Sequence, residues 1–415
     1  MEKENRRRLL KNMGLAVTGG FAATARGYAA NETISVGCIG TGGRCQVLMK
    51  SLKKIPGARM VAVCDVWDTN LNTAREIAGG NPFATKDYRA LLDRKDIDAV
   101  LIGAPDHQHV ALMSAACEAG KDVYVEKPLT HSLAEGARAL RAQNDNRRIV
   151  QVGMQQRSMT HMLKAYEIVK SGQLGPIHKV HLTWNRNAAR TEKVKYNIDP
   201  ASVDWHAWLG PARDQPFDEY KFRQWRWFWD FGGGTFTDLM VHFIDVAHWY
   251  LDLDHPQTAV SIGDRFSAKY WDTPDTAQTL LEYPDVQIYF EATFLNARNG
   301  AMLEFMGREA TLYMDRGRYE VHPERKKDAS NREPLPGTVQ YSELVLGKGP
   351  RGADFYDQPD GEALHISNWL ECIRTRKKPN APVEAGISAA SAAHLANIAL
   401  RERRTATWEK DGVNA

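Results

Sequence analysis

Asp238, His242, Asp245 and Trp249 recur at intervals of three and four residues, so on a helix they share one face. An imidazole, with an ordinary pKa of about 6.5, can take the proton of an alcohol near neutral pH. A carboxylate one turn away can fix its tautomer. A second reactive candidate is Lys127, which follows the apolar run Asp122-Val123-Tyr124-Val125 and the single residue Glu126. An ammonium there can polarise an oxygen and stabilise negative charge that develops on it. Oxidation of an alcohol needs a proton acceptor, stabilisation at the oxygen and an acceptor for hydride. Either His242 or Lys127 serves as the proton acceptor on this reading. A helix-surface ion pair and a solvated strand-end lysine are the plain alternatives.

The hydride acceptor is suggested by the stretch Ile34-Ser35-Val36-Gly37-Cys38-Ile39-Gly40-Thr41-Gly42-Gly43-Arg44. An apolar strand breaks on glycines, and a helical pattern follows with Val47, Leu48, Leu52 and Ile55 on one side. In that context Gly40 permits a tight turn and Gly42 leaves room for a pyrophosphate. The helix that follows aims free N–H groups at the phosphates. Cys45 stands at the third position of the fingerprint and is small enough for close helix–strand packing. The next apolar run, Arg59 to Cys64, ends in Asp65. An acid placed there, roughly 20 residues on, holds the ribose hydroxyls of NAD and repels the 2′-phosphate of NADP. NAD is therefore expected, with NADP the less favoured cofactor.

The elements around these residues alternate. Helices are predicted at Thr69–Ala78 and Asp87–Leu92, and a strand at 98–102. A helix capped by Asp106 runs to Ala119, and the strand 122–125 follows. The helix Leu133–Asn144 leads to the strand 149–153. This alternation predicts a doubly wound parallel sheet whose strand carboxyl ends form the ligand site. Gly40, Asp65, the Pro105–His109 loop and Lys127 all fall at such ends. Past Gly153 come a helix at 161–170 and strand-like runs at 177–184, 258–266, 276–283, 286–294 and 310–314. The alternation of Gln287, Tyr289 and Glu291 with Ile288, Phe290 and Ala292 marks one buried face. The class is thus α/β: an N-terminal Rossmann domain over 31–153, then an α+β domain over 154–415 with a large, mostly antiparallel open sheet. Residues 324–360 read as a polar surface excursion, and two helices near 365–374 and 387–400 close the chain.

At 415 residues, 43% hydrophobic and 25% charged, the composition is that of a globular protein with more than one core. A net charge of +3 gives no reason to expect nucleic acid or an anionic membrane as partner. The five cysteines lack metal-ligand spacing, so buried thiols are expected and no metal is. Residues 1–30 differ from the rest. Asn5-Arg6-Arg7-Arg8-Leu9-Leu10-Lys11 precedes a short Gly- and Ala-rich run from Met13 to Ala25, then small residues. The run is too short to span a membrane. The segment resembles a twin-arginine export signal with Arg6-Arg7 as the pair, which predicts periplasmic export of the folded, cofactor-loaded protein. The alternatives are a basic tail and a cytoplasmic location.

Five segments together resemble the Gfo/Idh/MocA family of NAD(P)-dependent oxidoreductases over about residues 33 to 400. They are Gly40-Thr41-Gly42-Gly43-Arg44, Cys64-Asp65, Pro105-Asp106-His107-Gln108-His109, Glu126-Lys127-Pro128, and Gly232 to His242 with its Asp238-x-x-x-His242 spacing. The resemblance implies catalysis by Lys127, Asp238 and His242. It implies cofactor contacts from Gly40, Thr41, Gly42, Gly43, Arg44, Asp65, Pro105, Asp106, His109, Glu126 and Lys127. Candidate substrate contacts are Gln155, Arg157, Arg223, Trp225 and Asp238. Arg223 and Trp225 belong to an aromatic segment, Trp205, Trp208, Trp225, Trp227, Phe228 and Trp229, that suits either a pyranose or a core. The implied substrate is a sugar, polyol or glycoside, and the implied assembly a homo-oligomer through the open sheet. Some members cleave glycosides by transient oxidation. Others are non-catalytic NAD-binding sensors, which would be expected to lose the Lys and His kept here.

Overall fold

The structure is a computed structural model that describes residues 33–187, 191–324, 341–344 and 361–412. The proposed export segment, and most of the expected surface excursion, lie outside the described residues. The first sheet contains β1 (Ile34–Ile39), β2 (Ala58–Cys64), β3 (Phe83–Thr85), β4 (Ala99–Ile102), β5 (Asp122–Val125) and β6 (Val150–Val152). Their order is β3-β2-β1-β4-β5-β6, all parallel. β1, β4, β5 and β6 are buried along their whole length. This is why they read as mostly apolar runs, broken only by Ser35, Asp122 and Gln151, as strands covered by helices on both faces do. The helix Gly43–Leu52 buries Cys45, Leu48, Met49 and Leu52 against the sheet at helical spacing.

The second sheet has nine strands: β7 (Ile177–Asn185), β8 (Thr258–Asp264), β9 (Thr276–Glu282), β10 (Gln287–Thr293), β11 (Ala301–Gly307), β12 (Ala310–Asp315), β13 (Arg318–Pro323), β14 (Tyr341–Leu344) and β15 (Ala406–Thr407). The order is β14-β13-β12-β11-β7-β10-β9-β8-β15. β7 and β10 pair in parallel and every other neighbouring pair is antiparallel. A parallel pair requires a crossover. The crossover here is residues 186–286, which hold the aromatic segment and the helix Val241–Leu251. β11 escapes the sequence reading because the apolar Met302 and Met306 alternate with Leu303 and Phe305 and blur the pattern of one buried face. One face of the sheet is covered by helices. The other leaves Val260, Ile262 and Leu280 exposed.

The two C-terminal helices are longer than expected, Gly361–Thr375 and Val383–Glu402, and both return to the first domain. Ile366, Trp369 and Leu370 share a core with Val36, Leu48 and Leu101. His365 ties in further, its ring bonding the Val152 carbonyl at 2.9 Å and Ser158 Oγ at 2.7 Å. The Ala-rich Val383–Glu402 helix is buried between the sheets, and Asn397 donates to the Gly233 carbonyl at 2.9 Å. All five cysteines are buried and free. Among the described residues no helix is long and apolar enough to cross a membrane.

A clasp joins the turn after β6 to the helix Val241–Leu251. Arg157 Nε and Nη2 donate to Asp245 at 2.8–3.0 Å, and the Asp245 side chain is 1% exposed. Burial pushes the Asp245 carboxyl up, and Arg157 opposes that shift. Removing one partner of such a pair leaves the other charge buried. Asp245→Ala is expected to cost about 3–5 kcal/mol of stability by urea denaturation, and Asp245→Ala/Arg157→Met to regain most of it.

Candidate active site

The turn after β1 is built by sterics. Gly40 has φ +70°, and a Cβ there would lie 2.6 Å from the Ala104 backbone. Nothing but the Asn70 side chain comes within 4 Å of a Cβ placed on Gly42, and nothing at all does on Gly43, so the helix N-terminus faces open space. No side chain caps that helix. Its first N–H groups are left for an anion. The close helix–strand approach predicted at Cys45 is met from the other side by Gly103, where a Cβ would fall 2.7 Å from that of Cys45.

Asp65 follows β2 and is 5% exposed. It accepts from the Trp67 N–H at 2.9 Å, Thr41 Oγ1 at 3.3 Å and Asn70 Nδ2 at 3.4 Å. Burial pushes its carboxyl up to about 6, with those hydrogen bonds pulling the other way. Gly40, Gly42, Asp65 and Pro105 line one wall of a cleft of about 930 Å³. The other wall is a strap from the second domain that contributes His206, Trp208, Arg223 and Trp225. The strap is pinned across the cleft by a strand bridge between Trp67 and Val203, by Asp204 N–H to the Val66 carbonyl at 2.9 Å, and by Gln108 Nε2 to the Trp208 carbonyl at 2.9 Å. The open helix N-terminus and the buried acid both fit a dinucleotide.

A smaller cavity of about 360 Å³ adjoins the cleft and holds Lys127, Asp238, His242 and Gln155. Lys127 Nζ donates to the Asp238 carbonyl at 2.6 Å and to Asp238 Oδ1 at 3.0 Å. Arg226 Nε reaches the same Oδ1 at 3.1 Å. Asp238 therefore holds the two cations, a role the expected tautomer-fixing partnership with His242 did not include. Asp238 and His242 share a face as predicted, but across a turn of π-helix, Phe236–Met240, that opens into the helix Val241–Leu251. His242 lies flat on Trp184, centroids 5.2 Å apart. Burial first, then the charges of Lys127, Arg316, Arg44 and Arg186, hold its imidazole well below the ordinary value. The ring is thus neutral at physiological pH, and its affinity for a proton is reduced.

The remaining predicted residues divide. Arg44 lines both cavities, but its guanidinium is tied to Glu126 at 3.0 Å and Glu362 at 2.9 Å. Glu126 also accepts from Gln155 Nε2 at 2.9 Å and from the Lys127 N–H at 3.1 Å. Burial works to raise its carboxyl, but Arg44 and Lys127 outweigh that and hold it below the usual range. His109 bonds the carbonyls of Pro128 at 2.6 Å and Ala104 at 2.8 Å, so it positions the Glu126–Pro128 turn, whose Lys127–Pro128 peptide is cis. Asp106 does not cap a helix. A 3₁₀ turn, Asp106–Gln108, comes first, and its carboxyl lines the cavity, pushed well up by burial against the pull of Lys127 and Arg226. Arg157 is spent on Asp245 and is not among the lining residues. Of the aromatic segment, Trp227 and Phe228 are buried, Trp227 stacking on Trp271, and Trp205 packs on Trp208. Trp225, with Arg226 4.1 Å over its ring, and Trp208 face the cleft. Sequence reasoning missed Arg186, Arg316 and Glu362, each isolated in the chain with no motif around it.

Residues 34–154 match the family described as oxidoreductase family, NAD-binding Rossmann fold, and residues 162–313 match the GFO/IDH/MocA C-terminal domain. The chain is 23% identical over 370 residues to the uncharacterized oxidoreductase YrbE of Bacillus subtilis, covering 89% of this chain and 95% of that one. It is 28% identical over 289 residues to inositol 2-dehydrogenase/D-chiro-inositol 3-dehydrogenase of Shouchella clausii, covering 68% and 71%. Among solved structures, levoglucosan dehydrogenase in complex with NADH and levoglucosan superposes with TM-score 0.68 at 18% identity, over 89% of this chain and 96% of that one. Aldose-aldose oxidoreductase from Caulobacter crescentus gives 0.67 at 17%, over 90% and 99%. These two likenesses are of fold.

Asp65 can accept a hydroxyl hydrogen bond on each of its oxygens only when ionised. With its carboxyl at about 6, NAD affinity should be flat above neutrality and fall as pH drops through 6. The limiting slope is about tenfold per unit. Fluorescence titration from neutral to mildly acid pH measures this, and Asp65→Asn should bind weakly with no such slope.

Proposed function

The chain belongs to the Gfo/Idh/MocA family of oxidoreductases, and on that premise we propose that it oxidises a hydroxyl of a sugar, polyol or glycoside with an NAD held through both halves of the cycle. One observation carries the reading: Lys127, Asp238 and a neutral His242 meet in a cavity that opens onto the dinucleotide cleft. Bound NAD supplies the acceptor for the hydride that leaves the carbinol carbon. His242 takes the hydroxyl proton. Lys127, steered by Asp238 and the Asp238 carbonyl, presents its ammonium to the oxygen as negative charge develops there. Arg226 shares the Asp238 carboxylate and keeps the pair oriented. The inositol dehydrogenases among the relatives support a polyhydroxylated substrate.

Retention of the cofactor is supported by the strap, which ties the second domain to Val66, Trp67 and Gln108 on the first. The twin-arginine-like segment supports export. In a compartment without free NAD the bound molecule has to be regenerated in place, so turnover is redox-neutral, with a second carbonyl reduced. The open face of the second sheet, with Val260, Ile262 and Leu280 exposed, is the surface a second copy would cover.

Desalted enzyme given a panel of sugars and no added nicotinamide should sustain product formation. Lys127→Ala and His242→Ala should each lower turnover by about a hundred- to ten-thousand-fold while keeping bound cofactor, and their effects should not add. Absolute dependence on added NAD, with stoichiometric NADH released, would refute retention. For export, the native chain should fractionate with the periplasm and Arg6→Lys/Arg7→Lys with the cytoplasm. Equal distribution of the two would refute it.

A further inference from the structure

Four carboxyl groups line the cavity around His242 among its described residues: Asp106, Glu126, Asp238 and Glu362. Three are matched inside the protein. Glu126 is held by Arg44 and Gln155, Glu362 by Arg44, and Asp238 by Lys127 and Arg226. Asp106 is the exception. It is 3% exposed, yet its carboxyl takes neither a hydrogen bond nor an ion pair from any described residue. Lys127 and Arg226 act on it only through their charge. Its place is equally specific. Pro105 lines the dinucleotide cleft and not this cavity, whereas Asp106 lines this cavity and not the cleft. The 3₁₀ turn Asp106–Gln108 that begins after β4 thus turns one carboxyl out of the cofactor wall and into the reacting chamber. An unpaired polar group in a buried position is unfavourable, and beside a reacting centre it is a place for a ligand to complete.

We propose that Asp106 holds a second hydroxyl of the substrate, one that is not oxidised, and so selects a polyhydroxylated ring over forms that lack that hydroxyl. The inference rests on the hydroxyl-oxidising reading above. Asp106 is then a substrate residue and not the cofactor contact that the family resemblance implies. The chemistry of the surroundings picks out a hydroxyl. An anion would be repelled by Asp106 and Asp238, and a cation by Lys127 and Arg226. A hydroxyl is neutral and both donates and accepts. It donates to the carboxylate, and it accepts from the protonated form that burial favours. After burial, Lys127 is the group that bears most on Asp106. The hydroxyl that Asp106 holds therefore lies near the oxygen that Lys127 polarises. Two held oxygens fix the orientation of the ring as well as its affinity, which one contact at the reacting oxygen does not.

The test uses the purified full chain in saturating NAD and reads reduced nicotinamide by absorbance. D-Glucose, D-galactose, D-mannose and myo-inositol are compared first, and the fastest is then set against its monodeoxy analogues. Product analysis names the oxidised carbon. At one or more other positions, loss of the hydroxyl should lower kcat/KM by about tenfold or more, the size of a hydrogen bond to a charged group. In Asp106→Ala the parent should slow by a similar factor, and that same analogue should now react as well as the parent. A carboxyl with a merely structural role would slow parent and analogue alike. If Asp106→Ala does not fold, the isosteric Asp106→Asn, whose neutral amide bonds a hydroxyl more weakly than a carboxylate does, should narrow the parent-to-analogue ratio. NAD affinity, measured by fluorescence titration, should be unchanged in either variant. A ratio unmoved at every position, or a loss of NAD affinity in its place, would overturn the inference while leaving the parent reading intact. No nicotinamide reduction by any of the four parents removes the parent reading, and this one with it.

Discussion

A carboxylate with no access to water has to be matched by positive charge and donors, and in this protein that constraint falls on Glu126. Taken alone, a buried ion costs several kcal/mol. Glu126 is matched by Arg44 from the cofactor-binding helix, by Gln155 from the turn after β6 and by the amide of Lys127. Arg44 is matched in turn by Glu362 at the start of the Gly361–Thr375 helix. One unfavourable burial therefore registers three segments that are far apart in sequence. The glycine turn after β1, the Glu126–Pro128 turn and the returning C-terminal helix cannot drift independently without exposing an unpaired charge.

The same logic recurs one step further into the cavity. Lys127 leaves the first domain and is received by Asp238 on the second, with Arg226 completing the set. The Lys127–Asp238–Arg226 cluster is thus assembled from both domains. The contact between Lys127 and the Asp238 carbonyl therefore ties the two domains to each other at this cavity. His242 remains outside this exchange, stacked on Trp184, and burial first, then the positive charges around it, keep it neutral.

Much of this was legible in the chain. Buried parallel strands appear as apolar runs, and the residues at their carboxyl ends, Gly40, Asp65 and Lys127, lie where such sheets bind ligands. Asp238 and His242 declared themselves by spacing. What stayed hidden depends on long-range partners. Arg157 looks like a ligand residue until Asp245 is seen beside it. Asp106 looks like a cap until burial and Lys127 turn it into a cavity wall. Arg186 and Arg316 sit 130 residues apart in sequence and become neighbours only because β7 and β12 flank β11 in one sheet. The aromatic segment was ambiguous for a physical reason: flat apolar rings suit a core and a sugar equally, and the fold uses Trp227 for one and Trp225 for the cleft.

The placement of the helix Val383–Glu402 has a temporal consequence. It is buried against β8 and the helix Val241–Leu251 on one side, while Gly386 abuts Leu129 and Val152 of the first domain on the other. In sequence it follows every strand of both sheets except β15. Neither half can seal its interior until that helix has been synthesised, so the two domains do not ripen one after the other as the chain emerges from the ribosome. They mature together, and the molecule that captures a dinucleotide is a finished one.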